Sequence, residues 1–165
     1  MGLQVLPDGR VAKAKRASTD TEALARSERL YRILEQRGAH VAVLAYCRED
    51  LMRKDYYEAV FEAIKGLAAR IRSETGVDAD GYALIEKTMV GSAPTLRIND
   101  GRTRTEQDEQ LGVANLAKGL FSAFRNPAAH EPKLHWTMSE LDALDVMGTL
   151  SMIHRRLDRC RPREH

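Results

Sequence analysis

The segment Phe124-Arg125-Asn126-Pro127-Ala128-Ala129-His130 holds the side chains best suited to chemistry. Pro127 cannot continue a helix and pushes Asn126 out of the α region. Arg125 therefore belongs to a helix's last turn, and His130 to the chain just past the break. No regular helix sets the geometry between them, so a bend can bring both side chains toward one point. Such a pair suits a phosphodiester. The arginine offers a permanent, planar, multi-donor cation for phosphate oxygens. The histidine exchanges a proton near neutral pH, and the Asn126 amide can orient either one. The same spacing also describes an arginine at a helix C-terminus followed by an ordinary loop histidine.

Other constellations compete for attention. His130, Glu131 and His135 could form a metal site, but their spacing is not that of two histidines one helical turn apart around a glutamate. Cys47 and Cys160 lack a histidine close in sequence and read as small hydrophobes; far apart and outside any CxxC spacing, they suggest neither a disulfide framework nor a zinc site. Arg97, Arg102 and Arg104 fall in an irregular stretch, either as solvated loop charges or as contacts to an RNA backbone. Trp136 can stack a base or pack beside a helix start.

These residues need elements to hold them. Ser18-Thr19-Asp20 followed by Thr21 to Arg37 predicts a capped helix that stops at Gly38. A short helix is expected over Val41 to Met52. The clearest helix runs from about Asp55 to Glu74, where Tyr57, Val60, Phe61, Ile64, Leu67, Ala68 and Ile71 make one apolar face before Gly76. Asp80 to Met89 reads as another short helix, ended by Gly91. Residues 92–104 lose the pattern and form either a plain loop or a small hairpin around Asn99-Asp100-Gly101. Thr105 to Phe124 is helical again, with Val113, Leu116, Ala117, Leu120 and Phe124 on one side. The last helix is expected to start at a capping box of Thr137 with Glu140, with Trp136 stapled to Leu141, and to run to about Arg159.

The outcome is an all-α bundle of five to six helices, residues 19–159, between a basic N-terminal arm (1–18) and a short basic tail (160–165). Two helices carry a second packing face. On the motif helix Gly112, Asn115, Gly119 and Ser122 share a narrow arc opposite the apolar side. Glycine there costs about 1 kcal/mol relative to alanine, so another backbone is expected close by, from the same chain or from a second subunit. The last helix has Leu141, Leu144, Gly148 and Met152 on one side and Val146, Leu150, Ile153 and Leu157 on another, which a homodimer would cover.

Composition agrees with one helical domain. The chain has 165 residues, 43% of them hydrophobic and 30% charged, too much apolar material for bulk disorder. Three Phe, five Tyr and one Trp leave the core mostly aliphatic. With 26 basic and 24 acidic residues the net charge is only +2, concentrated as basic ends around a balanced middle. No apolar run is long enough to span a membrane. With no charged-then-apolar leader, the expected compartment is the cytoplasm.

Arg125 to His130 resembles the Arg…His signature of the HEPN superfamily, including the polar residue directly after the arginine. The wider pattern is similar to the prokaryotic Ymh-type branch of that superfamily. It is carried by Tyr56-Tyr57-Glu58-Ala59-Val60-Phe61-Glu62-Ala63-Ile64-Lys65, by Thr75-Gly76 and Asp80-Gly81, and by Gly119-Leu120-Phe121 ahead of the motif. The resemblance implies a HEPN-like bundle that commonly dimerises. It also implies a metal-independent endoribonuclease without cofactor, serving in toxin–antitoxin, abortive-infection or phage-defence systems, with an antitoxin or defence protein as a further partner. Its catalytic residues would be Arg125, Asn126 and His130, two motifs meeting across the dimer, and RNA its substrate. A solvated helix face is the default reading of Lys65, although it matches the family pattern and would then face RNA or the second subunit. The tyrosine that some members carry two residues after the histidine is absent, because Glu131 and Pro132 follow here. Some members of the superfamily are non-catalytic RNA-binding or protein-interaction modules, and that remains the alternative.

Overall fold

The computed structural model describes residues 3–5, 11–13, 20–125 and 137–160. Among them are six α-helices: α1 (Asp20–Gln36), α2 (Val41–Leu44), α3 (Tyr57–Thr75), α4 (Gly81–Met89), α5 (Arg104–Leu120) and α6 (Glu140–Leu157). A 3-10 turn lies at Glu49–Leu51, and a π-helical turn, Phe121–Arg125, continues α5. Within the expected N-terminal arm, β1 (Leu3–Val5) pairs antiparallel with β2 (Val11–Lys13).

α3 is the central helix. Its Val60, Ala63, Ile64, Leu67, Ala68 and Ile71 are buried. Val60, Ile64, Leu67 and Ile71 each contribute about 1.5–3 kcal/mol on full burial. α6 packs along α3 and buries Ala143, Met147, Leu150 and Ile153 in the core to which α4 brings Leu84, Ile85 and Met89. α3 stops where Gly76 turns left-handed at φ 68°, its N–H bonded to the Arg72 carbonyl. Gly66, in the middle of α3, has a different cause: a Cβ there would collide with the Tyr46 ring.

Several boundaries differ from expectation. The helix expected over Val41 to Met52 lasts one turn. The His40 ring caps it, Nδ1 accepting from the Ala42 N–H at 3.0 Å, and by Arg48 the backbone is extended. The 92–104 stretch is a loop, not a hairpin. Leu96 and Ile98 plug it into the core, and Gln110 holds it by donating to the Met89 and Leu96 carbonyls and accepting from the Ile98 N–H.

α6 starts at a different cap. Ser139 accepts from the Asp142 N–H at 3.1 Å. Glu140, expected to close a box with Thr137, instead takes Arg29 Nε at 2.8 Å and the Tyr56 hydroxyl at 2.8 Å. Leu141 is 74% exposed; Trp136, its expected staple partner, lies outside the described residues.

A polar clasp joins α2, α3 and α6. Arg70 donates to Glu74 at 2.7 Å, to Asp158 at 2.8 Å and to His154 Nδ1 at 3.1 Å. His154 stacks on His40 at 5.1 Å, and His40 Nε2 meets Asp158 at 3.0 Å. Burial, then the charges of Arg70 and His40, pushes His154 down to about 4, so it is neutral at pH 7.

Candidate active site

α5 ends differently from the other helices. Its capping box, Thr103 with Glu106, fixes the start, and Val113, Ala114, Ala117 and Leu120 bury its inner face. Leu116, expected on that face, is 47% exposed; it sits at the edge of the stripe, next to Gly112 and Gly119 on the helical wheel. Lys118 is buried because it pairs with Glu86 and lies 4.8 Å from the Tyr82 ring centroid. The helix then widens into the π-turn Phe121–Arg125, which carries the backbone of Arg125. Phe121 is buried and Phe124 half-buried. π-turns are rare and are frequently found at functional sites.

The start of α3 holds this turn. The Tyr57 hydroxyl donates to the Phe124 carbonyl at 2.9 Å, one residue before Arg125. Burial, then the charge of Asp55, raises the Tyr57 phenol, so it remains a donor at neutral pH. Asp55 accepts the Tyr57 N–H through Oδ1 at 2.7 Å. Its Oδ2 is buried without a hydrogen-bond partner. The Tyr57 ring stacks on Phe61 at 6.0 Å, and Lys65 Nζ lies 5.6 Å from the Phe61 centroid. Lys65 thus extends a Tyr57–Phe61–Lys65 ridge leading away from the π-turn, about 12 Å along α3. Its ammonium is paired with Glu62 at 2.8 Å.

Asn126 and His130 lie outside the described residues, as do Glu131 and His135 of the alternative metal set. Among the described residues no group of three or more His, Cys, Asp or Glu is placed to hold a metal ion. Both cysteines are free, and burial pushes each thiol up to about 11. Thiolate is therefore scarce at neutral pH, which argues against a cysteine nucleophile.

The three loop arginines are not brought to the motif. Arg104 opens α5 and Arg125 ends its π-turn, so they are about 30 Å apart along the axis. Arg102 pairs with Asp100 at 3.7 Å and Arg104 with Asp108 at 3.1 Å, both largely exposed. Arg97 lines a cleft beside them.

Gly112, Asn115, Gly119 and Ser122 are all exposed. A Cβ added at Gly112 or Gly119 would meet nothing within 4 Å. Among the described residues, no backbone of the same chain fills the space that the two glycines leave. On α6 the Leu141 side is only partly open: Leu141 is exposed and Gly148 has nothing within 4 Å among the described residues, but Met152 is half-buried and Leu144 is buried in the core.

Sequence reasoning missed two things here. Tyr57 was legible as part of an apolar face, but its hydroxyl's partner lies 67 residues away. The Thr103–Glu106 box carried a local signal, the Thr-x-x-Glu pattern.

An all-α bundle is the class the described residues define. The chain belongs to the family described as "Protein of unknown function (Hypoth_ymh)", whose model matches residues 37–157. That span runs from the end of α1 to the last residue of α6 and includes the whole motif. No curated protein and no solved structure matches the chain. No described helix is long and apolar enough to cross a membrane.

Proposed function

We propose that the protein is a metal-independent endoribonuclease of HEPN type, acting as a homodimer in a toxin–antitoxin or phage-defence setting. The observation that carries this reading is the π-turn Phe121–Arg125, held by the Tyr57 hydroxyl, at the point where the Arg125–His130 segment begins. A helix that departs from α-geometry at this point supports a functional demand on Arg125 over a purely structural one.

In the proposed reaction His130 removes the proton from a ribose 2′-OH. The freed oxygen attacks the adjacent phosphorus, and the bond to the 5′-oxygen breaks. A second His130, from the other subunit, returns a proton to that leaving oxygen. Arg125 stabilises the charge that builds on the phosphorane-like transition state, and Asn126 positions Arg125 or the phosphate. The products are a 2′,3′-cyclic phosphate and a 5′-OH end. DNA lacks the 2′-OH and is not cut. The open face of Gly112, Asn115, Leu116 and Gly119 supports the dimer, since small residues on an uncovered helix face let a second backbone approach.

The test incubates single-stranded RNA with the protein in EDTA, beside His130→Ala and Arg125→Ala. Cleavage by the wild type alone, with cyclic-phosphate ends, is expected. Equal behaviour of all three overturns catalysis at this motif. Equal RNA binding without cleavage assigns the chain to the non-catalytic modules.

A further inference from the structure

A cleft of about 500 Å³ opens between the loop at residues 90–101 and the first half of α5. Its size lies within the range of small-molecule sites. Its walls are built, not loosely draped. Gln110 ties the loop to Met89, Leu96 and Ile98, as described above. Asn99 donates to the Glu106 carbonyl at 2.8 Å and to Glu109 at 3.1 Å, and accepts from the Gly101 N–H. Leu96 N–H reaches back to the Thr88 carbonyl at 2.8 Å. The N-terminus of α5 adds nothing to the cleft as an anion site, because Thr103 and Glu106 already close it.

Two features of these walls are left without partners among the described residues. Arg97 is half-buried, its Nε is shielded from solvent without a hydrogen-bond partner, and no ion pair among the described residues involves it. Two carboxylates, Asp100 and Asp108, also line the cleft, but they are paired with Arg102 and Arg104, not with Arg97. A partly desolvated guanidinium without counter-charge is costly. Leu111, 45% exposed, also lines the cleft, beside Val90 and Pro94. One ligand satisfies both features: an anionic group carried on an apolar body.

We infer that this cleft binds a small organic anion, a carboxylate or a phosphate monoester on an apolar ring or short chain. The anionic group sits on the Arg97 guanidinium and the apolar body lies against Val90, Pro94 and Leu111. The site is far along α5 from the Arg125 motif and does not depend on the ribonuclease reading.

The test titrates phenyl phosphate and benzoate into the full chain without RNA, following the Gly91 and Gly101 amides by NMR. At least one of the two is expected to shift them saturably with a Kd below about 1 mM. Which one binds distinguishes phosphate ester from carboxylate. Inorganic phosphate and benzyl alcohol, each carrying half of the recognised chemistry, bind at least about tenfold more weakly. Arg97→Gln weakens binding by about tenfold or more, and Arg102→Gln by less than about twofold. Leu111→Glu, a change at an exposed position, removes binding with the fold kept by circular dichroism. The inference is overturned if neither anion binds, or if Arg97→Gln and Leu111→Glu bind as the wild type does.

Discussion

The Tyr57 hydroxyl donates to the Phe124 carbonyl at 2.9 Å, linking the first turn of α3 to the π-turn that ends α5. The carbonyls of a helix's last turn lack partners within the helix. Here one of them is satisfied by a side chain from the central helix, which fixes where the backbone of Arg125 begins its exit. Tyr57→Phe removes the donor and keeps the ring on Phe61. It is expected to cost about 1 kcal/mol of stability. If the bond positions Arg125, RNA cleavage in the folded variant falls further, by about tenfold. Single-turnover cleavage beside a urea titration separates the two effects. A stability loss with unchanged cleavage would make the hydroxyl purely structural.

The His154 environment sets a pH dependence. Burial, then Arg70 and His40, holds its imidazole at about 4 against the usual value of 6.5. The folded protein thus binds fewer protons than the unfolded chain between those values. The sign follows: this contribution to stability is complete above about pH 6.5 and is lost as pH falls toward 4. Its full size is on the order of 3 kcal/mol. Asp158 faces the same cluster; burial raises its carboxyl, but Arg70 and His40 bring it below the usual range, so its own loss belongs to more acid conditions. Urea midpoints at pH 7, 5.5 and 4 should fall more steeply for the wild type than for His154→Asn. Parallel curves would mean that His154 is not buried neutral.

Much of the helical framework was legible because local signals agreed with packing. The apolar spacing of α3 predicted its buried face, and Gly38, Gly76 and Gly91 all have positive φ at or just after helix ends. The failures have tertiary causes. Thr103-x-x-Glu106 and Thr137-x-x-Glu140 are the same pattern, yet only the first forms a capping box. Glu140 is instead drawn away by Arg29 and Tyr56, residues distant in sequence. The N-terminal ribbon did carry a signal, Pro7-Asp8-Gly9 between two short β-favouring stretches. At the site, the sequence offered Arg125 for catalysis and, separately, Arg97, Arg102 and Arg104 as contacts to an RNA backbone; the length of α5 keeps Arg104 about 30 Å from Arg125. No periodicity could reveal that Arg97 alone of those three lacks a carboxylate.

The corrected start of α6 can be checked directly. Ser139 accepts from the Asp142 N–H and donates to its carboxylate at 2.7 Å. Ser139→Ala should therefore destabilise the protein by about 1 kcal/mol. Thr137, exposed ahead of the cap, should tolerate alanine within about 0.5 kcal/mol. Thermal or urea denaturation of both variants decides between the two caps, and the reverse order would restore Thr137.

The open stripe on α5 gives a test of association that does not need RNA. At Gly112 and Gly119 a Cβ meets nothing within 4 Å among the described residues, so in an isolated chain alanine should be accepted freely. Each Gly→Ala change would then raise stability by about 1 kcal/mol, because glycine costs that much in a helix interior. If a second subunit packs its backbone against the stripe, the same changes instead crowd the contact and weaken the dimer. The expected outcome is a dimeric mass for the wild type by light scattering at micromolar concentration. For Gly119→Arg a monomeric mass with unchanged helical content is expected, since the larger side chain has room in the protomer but not in an interface. A monomeric wild type that gains stability from Gly112→Ala and Gly119→Ala would show the stripe to be an ordinary solvated face, and would remove the second His130 that the proposed proton transfer requires.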